Sequence, residues 1–478
     1  MKPPKVTPPK SKGKTKGKGK TKGKTKGKMM KQIKPLTTLP TLSVKPWYGK
    51  PVQELYSKHS GIFRKCLNPI MNSFNQSYWN SLYFQLYKAK SKTKSVLNSL
   101  EFIWDDDGTI PKHSHFSYIP QNIQTQIDEE CKHTLRFSFS LMDRKFSFMI
   151  CTTKRPVENG LSDELHIRIH KMITWLIFLN PMIQPTCSKE VFLYFYDISA
   201  KKRIEDNVIL DIKHINTAFT TGCQETTSIY VFRREESEKV FLHETCHNLG
   251  IDFLQCSTED VEKLDKQLRS QFMLNDFDIR WNESYCELWA RVFHTMMFVL
   301  YEPKQTNTNR FTKTVRNNGN PKERQKTAKD SAKVFYKKWR MYFYYEQLFS
   351  LIQCTKLLKH YHLSFEDLGK MAFREKYKEN TQGFSYYVLT SILIFHLSDF
   401  MDYCTEYTLQ TTGTDKSISV QKTDKSIIAY GHMWDPTKWN EKSQYYDIMK
   451  KIKSFMETNS SITSDFKETL RMSVLASG

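Results

Sequence analysis

The chain has 478 residues, 39% of them hydrophobic and 13% aromatic, and carries a formal net charge of +23. Such a length exceeds what one compact core usually holds, and the apolar content is ample to bury, which excludes a wholly disordered chain and points to several subdomains. The ten cysteines form no C-x-x-C pair, and the chain opens on lysine and proline where a secretory signal needs an apolar core. A chain that folds without cross-links in a reducing intracellular compartment, cytoplasmic or nuclear, is therefore expected. The longest apolar runs, Met172 to Ile183 and Val388 to Leu397, are too short to span a bilayer, so no membrane insertion is expected.

The charge is concentrated at the start: fourteen lysines and no acid lie between Met1 and Lys34, leaving about +9 for the rest. Residues 1–51 read as a disordered Lys/Gly-rich tail and linker, because SKGKTKGKGKTKGKTKGK has nothing to bury and its charges repel. Two roles stand side by side for Lys2 to Lys34: a solubility or nuclear-localisation tail, and a sequence-independent contact with nucleic-acid phosphates. Without interleaved aromatics the tail gives no sign of base stacking.

Residues 52–160 read as an N-terminal mixed region, helical at first. Trp79, Tyr83 and Tyr87 recur at helical spacing, which favours core packing over nucleic-acid contact. Arg136 to Thr152 alternates phenylalanines and aliphatics with polar residues around Asp143 and Arg144, a hairpin with one buried face. Asp163 to Asn180 is an amphipathic helix with Ser162 as cap and Pro181 beyond its end. His166 and His170 lie one turn apart on it, but without a neighbouring acid they carry no metal reading. Strands are expected at Val191 to Ile198, Asn216 to Thr220 and Ser228 to Phe232.

Next comes FLHETCHNLG, Phe241 to Gly250, with His243, Glu244 and His247 in the order H-E-x-x-H. On a helix the two imidazoles face one way, half of a zinc site, with Glu235 and Glu236 in the first turn and Gly250 closing the last. In that reading Glu244 takes a proton from a zinc-bound water whose pKa falls from about 15.7 toward about 7. A third protein ligand is required. NESYCELWAR, Asn282 to Arg291, offers Glu283 as that ligand, with Glu287 one turn on to accept a hydrogen bond from a zinc histidine, His243 being the candidate.

H-E-x-x-H followed by N-E-x-x-x-E resembles the gluzincin zinc metallopeptidases, whose second motif is N-E-x-x-x-D or a close variant; the match spans roughly Leu165 to Leu300. The resemblance implies one zinc per chain bound by His243, His247 and Glu283, Glu244 as catalytic base, and Glu287 supporting a histidine, with glutamate standing where the family has aspartate. A rival is local: H-E-x-x-H-x-x-G begins the metzincin motif, and Asp252 lies one residue before the place of that family's third ligand, with Met433 as a counterpart of its methionine turn. The Lys-, Asn-, Phe- and Tyr-heavy composition also resembles uncharacterised proteins of large DNA viruses, for which a virion-associated location is the further option.

Residues 302–330 read as a polar insertion or linker, and residues 331–478 as an α-helical subdomain with helices at Ala332 to His360, Phe384 to Tyr403, Ser443 to Met456 and Ser464 to Met472. Tyr386, Tyr387, His360, His362, His396 and His432 are the available donors to an oxyanion. The expected fold is α+β: a small mixed sheet with the site-bearing helix in a zincin-like core at 161–301, then the helical half. The expected function is zinc-dependent hydrolysis of peptide or protein substrates; the alternative is a non-catalytic, zinc-stabilised structural protein tethered to nucleic acid by its basic tail.

Overall fold

The structure, a computed structural model, describes Glu54, Leu55, Ser57, Lys58 and Gly61, and then residues 76–475 apart from 106–109, 154–160, 184–185, 254–255, 276, 303–320, 413–416, 421–422 and 461. The basic tail of Lys2 to Lys34 and most of the polar insertion lie outside the described residues. The described residues form one compact unit.

The fold is α+β. In chain order come helix α1 (Gln76–Asn98), strand β1 (Ile103–Asp105), helix α2 (Gln121–Glu130), the hairpin β2 (His133–Leu141) and β3 (Arg144–Thr152), helix α3 (Asp163–Leu179) and β4 (Glu190–Asp197). They are followed by β5 (Ala218–Thr220), β6 (Thr226–Val231), α4 (Ser237–Asn248), α5 (Thr258–Phe272) and α6 (Asn282–Tyr301). These six strands form one mixed sheet in the order β1-β2-β3-β4-β6-β5, with β3, β4 and β6 parallel and β1, β2 and β5 pairing antiparallel, and a separate antiparallel pair, Leu409–Thr412 with Ser417–Val420, interrupts the half expected to be wholly helical. Period-2 alternation divides each strand between two faces. Phe148, Phe195 and Val231 enter the main core under α3 and α4, whereas Met149, Tyr194, Tyr196 and Tyr230 turn to the other face, where Ile123 and Ile127 of α2 cover them.

The Arg136 to Thr152 hairpin, the Ser162-capped helix and the three later strands all form as expected, Ser162 accepting from Leu165 N at 3.2 Å. Several expectations are corrected. Ile103–Asp105 adds an edge strand to a region expected to be helical, held by backbone pairing with β2. Cys187 and Cys223 are joined as a disulfide, against the expectation of no cross-links: β4 and β6 are parallel neighbours, so the loops before them lie side by side. Residues 321–330, expected as linker, already belong to helix α7 (Pro321–His360), whose opening proline suits a first helical turn.

The helix expected over Phe384 to Tyr403 is instead a π-helical turn (Phe384–Leu389) leading into α8 (Thr390–Phe395), then a break at His396 before α9 (Leu397–Tyr403). Among the described residues no single helix is long and apolar enough to cross a membrane. After α10 (Gln444–Thr458), the last helix, α11, covers only Ser464–Glu468. Beyond it Leu470 to Leu475 spend their N–H groups on Lys202 O, on Thr469 Oγ1 and on the Glu236 and Glu346 side chains rather than on a helix. Tyr83 is core, packed on Phe335 and Tyr336 of α7, whereas Tyr87 is 38% exposed.

Candidate metal centre

Every residue of α4 is buried, so the helix is fixed from all sides. Phe241 lies over Phe148 and Phe195 of the sheet, with centroids 6.5 and 5.8 Å away, and Thr245 Oγ1 accepts from Trp175 Nε1 of α3 at 2.7 Å. Its start differs from expectation. Glu236 precedes the helix in a left-handed conformation (φ 61), and its carboxylate accepts from Lys202 Nζ and the backbone of Met472 and Ser473; of the acids only Glu238 lies in the first turn.

The end follows the sequence. Gly250 N donates to His247 O (3.1 Å) and Ile251 N to Cys246 O (2.8 Å), the paired bonds of a Schellman motif, which requires the left-handed φ of +67° that Gly250 supplies. This reversal returns Asp252 to the helix, where its Oδ2 lies 2.6 Å from His247 Nδ1.

Helix α6 runs antiparallel to α4: Lys239 meets Glu287 where His243 meets Glu283. Glu283 Oε2 lies 3.0 Å from His243 Nε2 and 3.2 Å from His247 Nε2, and the two Nε2 atoms are 3.2 Å apart. All three side chains are buried. Tyr386, on the π-helical turn, donates to the same Oε2 at 3.0 Å. Glu379 anchors that turn by accepting from Phe384 N at 2.8 Å.

Three donor atoms separated by 3.0–3.2 Å form one triangular face. The edge of a tetrahedron around zinc with nitrogen or oxygen ligands at 2.0–2.2 Å is about 3.3–3.6 Å, slightly longer than these separations, so the set fits one such ion after a small outward shift. The outer partners fit as well. Each imidazole turns its other nitrogen to a carboxylate: His247 Nδ1 to Asp252, and His243 Nδ1 to Glu287 Oε2 at 3.3 Å, near but off the hydrogen-bonding direction. Once the Nε2 protons are lost, an imidazole that keeps its Nδ1 proton toward a carboxylate turns the Nε2 lone pair to the shared point, an arrangement that suits a cation.

Asp252, the ligand of the rival reading, therefore sits behind His247, on the nitrogen opposite His243 and Glu283. Cys286 Sγ is also near that nitrogen, at 3.8 Å, and His247, Asp252 and Cys286 form a second group of potential ligands. The 2.6 Å between Asp252 and His247 is a hydrogen-bond distance, well under the edge of a shared coordination shell.

Burial and neighbouring charges act in opposite directions here. Burial alone would lower the His243 imidazole, but the Glu283 and Glu287 carboxylates outweigh it and raise it from 6.5 to about 9. His247 is likewise raised by Glu283 and Asp252 despite its burial. Glu283 and Glu287 would be pushed up by burial, but the histidines hold Glu283 well below the usual carboxylate range, and Lys239 and Arg291 do the same for Glu287. Glu244 shifts the other way: burial raises its carboxyl, only partly offset by His243 and His247.

All five residues singled out in the two motifs, His243, Glu244, His247, Glu283 and Glu287, thus converge, and of the expected oxyanion donors Tyr386 joins them. Of the others, Tyr387, His360 and His396 are engaged elsewhere, with Leu470 O, Val208 O and Lys438 O, and His362 and His432 are exposed. His166 and His170 lie apart from the site, and His170 bonds Tyr301. Asp252 was read in the sequence only as a rival ligand, and Lys239 and Arg291 escaped that reading as members of the site, although Lys239 precedes His243, and Arg291 follows Glu287, by one helical turn. No known protein family, curated protein or solved structure matches this chain, so the case for its chemistry rests on this geometry and on the two motifs.

Proposed function

We propose that the protein is a zinc-dependent peptidase of gluzincin type, with one zinc held by His243, His247 and Glu283. The observation that carries the reading is the face formed by these three donors, with Glu244 beside it making no hydrogen bond among the described residues. When bound, the zinc supplies Lewis acidity that activates water at neutral pH and polarises a carbonyl. Glu244 takes the proton of the attacking water as the new C–O bond forms, and passes it to the amine as the C–N bond breaks; its raised carboxyl suits both directions of transfer. Tyr386, kept neutral by burial and by the Glu283 charge, is the hydroxyl placed to turn toward the developing oxyanion. Strand β5, which packs against α4, pairs only with β6 among the described strands, and an extended peptide would add by backbone pairing at its other edge.

Full-length protein loaded with zinc is expected to hold one ion per chain and to cleave an unfolded protein such as reduced casein, with a chelator stopping cleavage and added zinc restoring it. One bound zinc without cleavage across a panel of unfolded proteins would move the protein to the non-catalytic alternative.

Zinc uptake is also expected to depend on pH. In the metal-free protein His243 holds its proton below about pH 9, and His247 is raised as well, so binding must expel protons. Apparent affinity should rise as pH increases from 6 toward 9, with proton release measurable by calorimetry in buffers of different ionisation enthalpy. A flat profile would contradict the carboxylate-raised histidines.

A further inference from the structure

Behind His243 three charges are stacked with almost no access to water. Lys239 Nζ donates to both oxygens of Glu287, at 2.9 and 2.8 Å, and Arg291 Nε donates to Glu287 Oε1 at 2.8 Å; the three side chains are at most 1% exposed. A buried ionic group of this kind is weak as a source of stability, since apolar residues of like volume serve as well or better. Its register suggests another use. Lys239 lies one turn before His243 and Glu287 one turn after Glu283, so this contact runs alongside the contact between His243 and Glu283.

The ammonium is enclosed on its remaining side by the end of the chain. Met472 Sδ is 3.5 Å from Lys239 Nζ. Its segment is fixed by Glu236, which accepts from Met472 N at 2.8 Å and Ser473 N at 2.5 Å and is itself paired with Lys202 at 2.9 Å. One turn of α7 supplies a second anchor, Glu346, which accepts from Val474 N and Leu475 N at 3.1 and 3.2 Å.

We infer that Lys239 is a positioning residue of the metal centre: it holds the Glu287 carboxylate at His243 Nδ1, with the C-terminal segment Leu470 to Leu475 as the wall that keeps it there. This rests on the reading of His243, His247 and Glu283 as metal ligands. Glu287 has three side-chain torsions and only a misaligned 3.3 Å approach to His243, so that approach does not fix its direction. Arg291 offers a competing destination, because its Nη1 and Nη2 have no hydrogen-bond partner among the described residues. The two bonds from Lys239 keep Glu287 from turning fully onto that guanidinium, and so keep the His243 ring oriented with Nε2 toward the metal.

The test is metal affinity and ligand geometry, not activity. In full-length K239M, zinc affinity measured by chelator competition is expected to fall about 10–100-fold, the usual cost of losing an outer partner. The visible absorption of the cobalt-substituted protein should change with it, while circular dichroism shows a folded chain. The double variant K239M/E287Q should bind zinc no more weakly than E287Q alone, because both changes act through one carboxylate. Should K239M not fold, K239Q, which keeps N–H donors but not the charge, serves in its place with a smaller loss in affinity. Wild-type affinity and an unchanged cobalt spectrum in the lysine variant, or losses that add in the double variant, would overturn the inference. A wild-type chain that takes up no zinc fails the metal reading itself, and this inference with it; wild-type uptake with an unaffected lysine variant overturns this inference alone.

Discussion

Glu244→Gln is expected to leave zinc uptake unchanged and to lower peptide hydrolysis by about 10²–10⁴-fold, the range attributable to one positioned acid–base group. The separation of effects follows from where the residue sits. Glu244 is buried on α4 between the two histidines, yet makes no hydrogen bond to either, to Glu283 or to Tyr386 among the described contacts, so its loss removes no ligand and no outer partner. Glutamine keeps the shape and removes only the ability to accept and return a proton. Burial raises the carboxyl, and the substitution also removes a charge that this site holds at a cost, so the folded state should be no less stable than wild type. Zinc content by elemental analysis, cleavage of an unfolded protein and thermal melting, measured on one preparation, separate these statements. Hydrolysis retained at the wild-type rate would remove Glu244 from the chemistry.

What was legible in the sequence follows the distance over which each signal acts. His243 and His247 share one helix face, so a four-residue spacing places both, and the alternation of Phe137, Phe139, Phe146 and Phe148 places the hairpin beneath them. Glu283 was legible only through its pairing with Glu287 and the resemblance this supports, because nothing local ties α6 to α4. The role of Asp252 was hidden by the turn at Gly250: read linearly it is a displaced ligand, but the Schellman reversal puts it behind His247. Lys239 and Arg291 carried a faint signal, a charge one turn from each motif on helices with no solvent face, which becomes decisive only once burial is known. Tyr386 and Met472 arrive from 143 and 229 residues beyond His243, and no period or spacing connects them to it.

Glu283→Ala is the substitution that separates the two ligand sets, and it is expected to lower zinc affinity by more than the roughly 10–100-fold typical of losing an outer partner. Glu283 Oε2 is the meeting point of His243 Nε2, His247 Nε2 and Tyr386 OH. Without it two imidazoles remain 3.2 Å apart with no anion between them, and the tyrosine loses its acceptor. The Glu283 carboxylate is one of the causes that raise both histidines, so in the metal-free variant their pKa values should fall, visible in the imidazole proton resonances. Asp252→Ala should behave as loss of an outer partner: weaker binding within the 10–100-fold range, and a cobalt spectrum that keeps its tetrahedral intensity. If Asp252 were instead the third ligand, the order would invert, with Glu283→Ala retaining zinc and Asp252→Ala losing it. Chelator competition on the two variants therefore decides between the arrangements without reference to catalysis, and it decides at the nitrogen that each carboxylate meets.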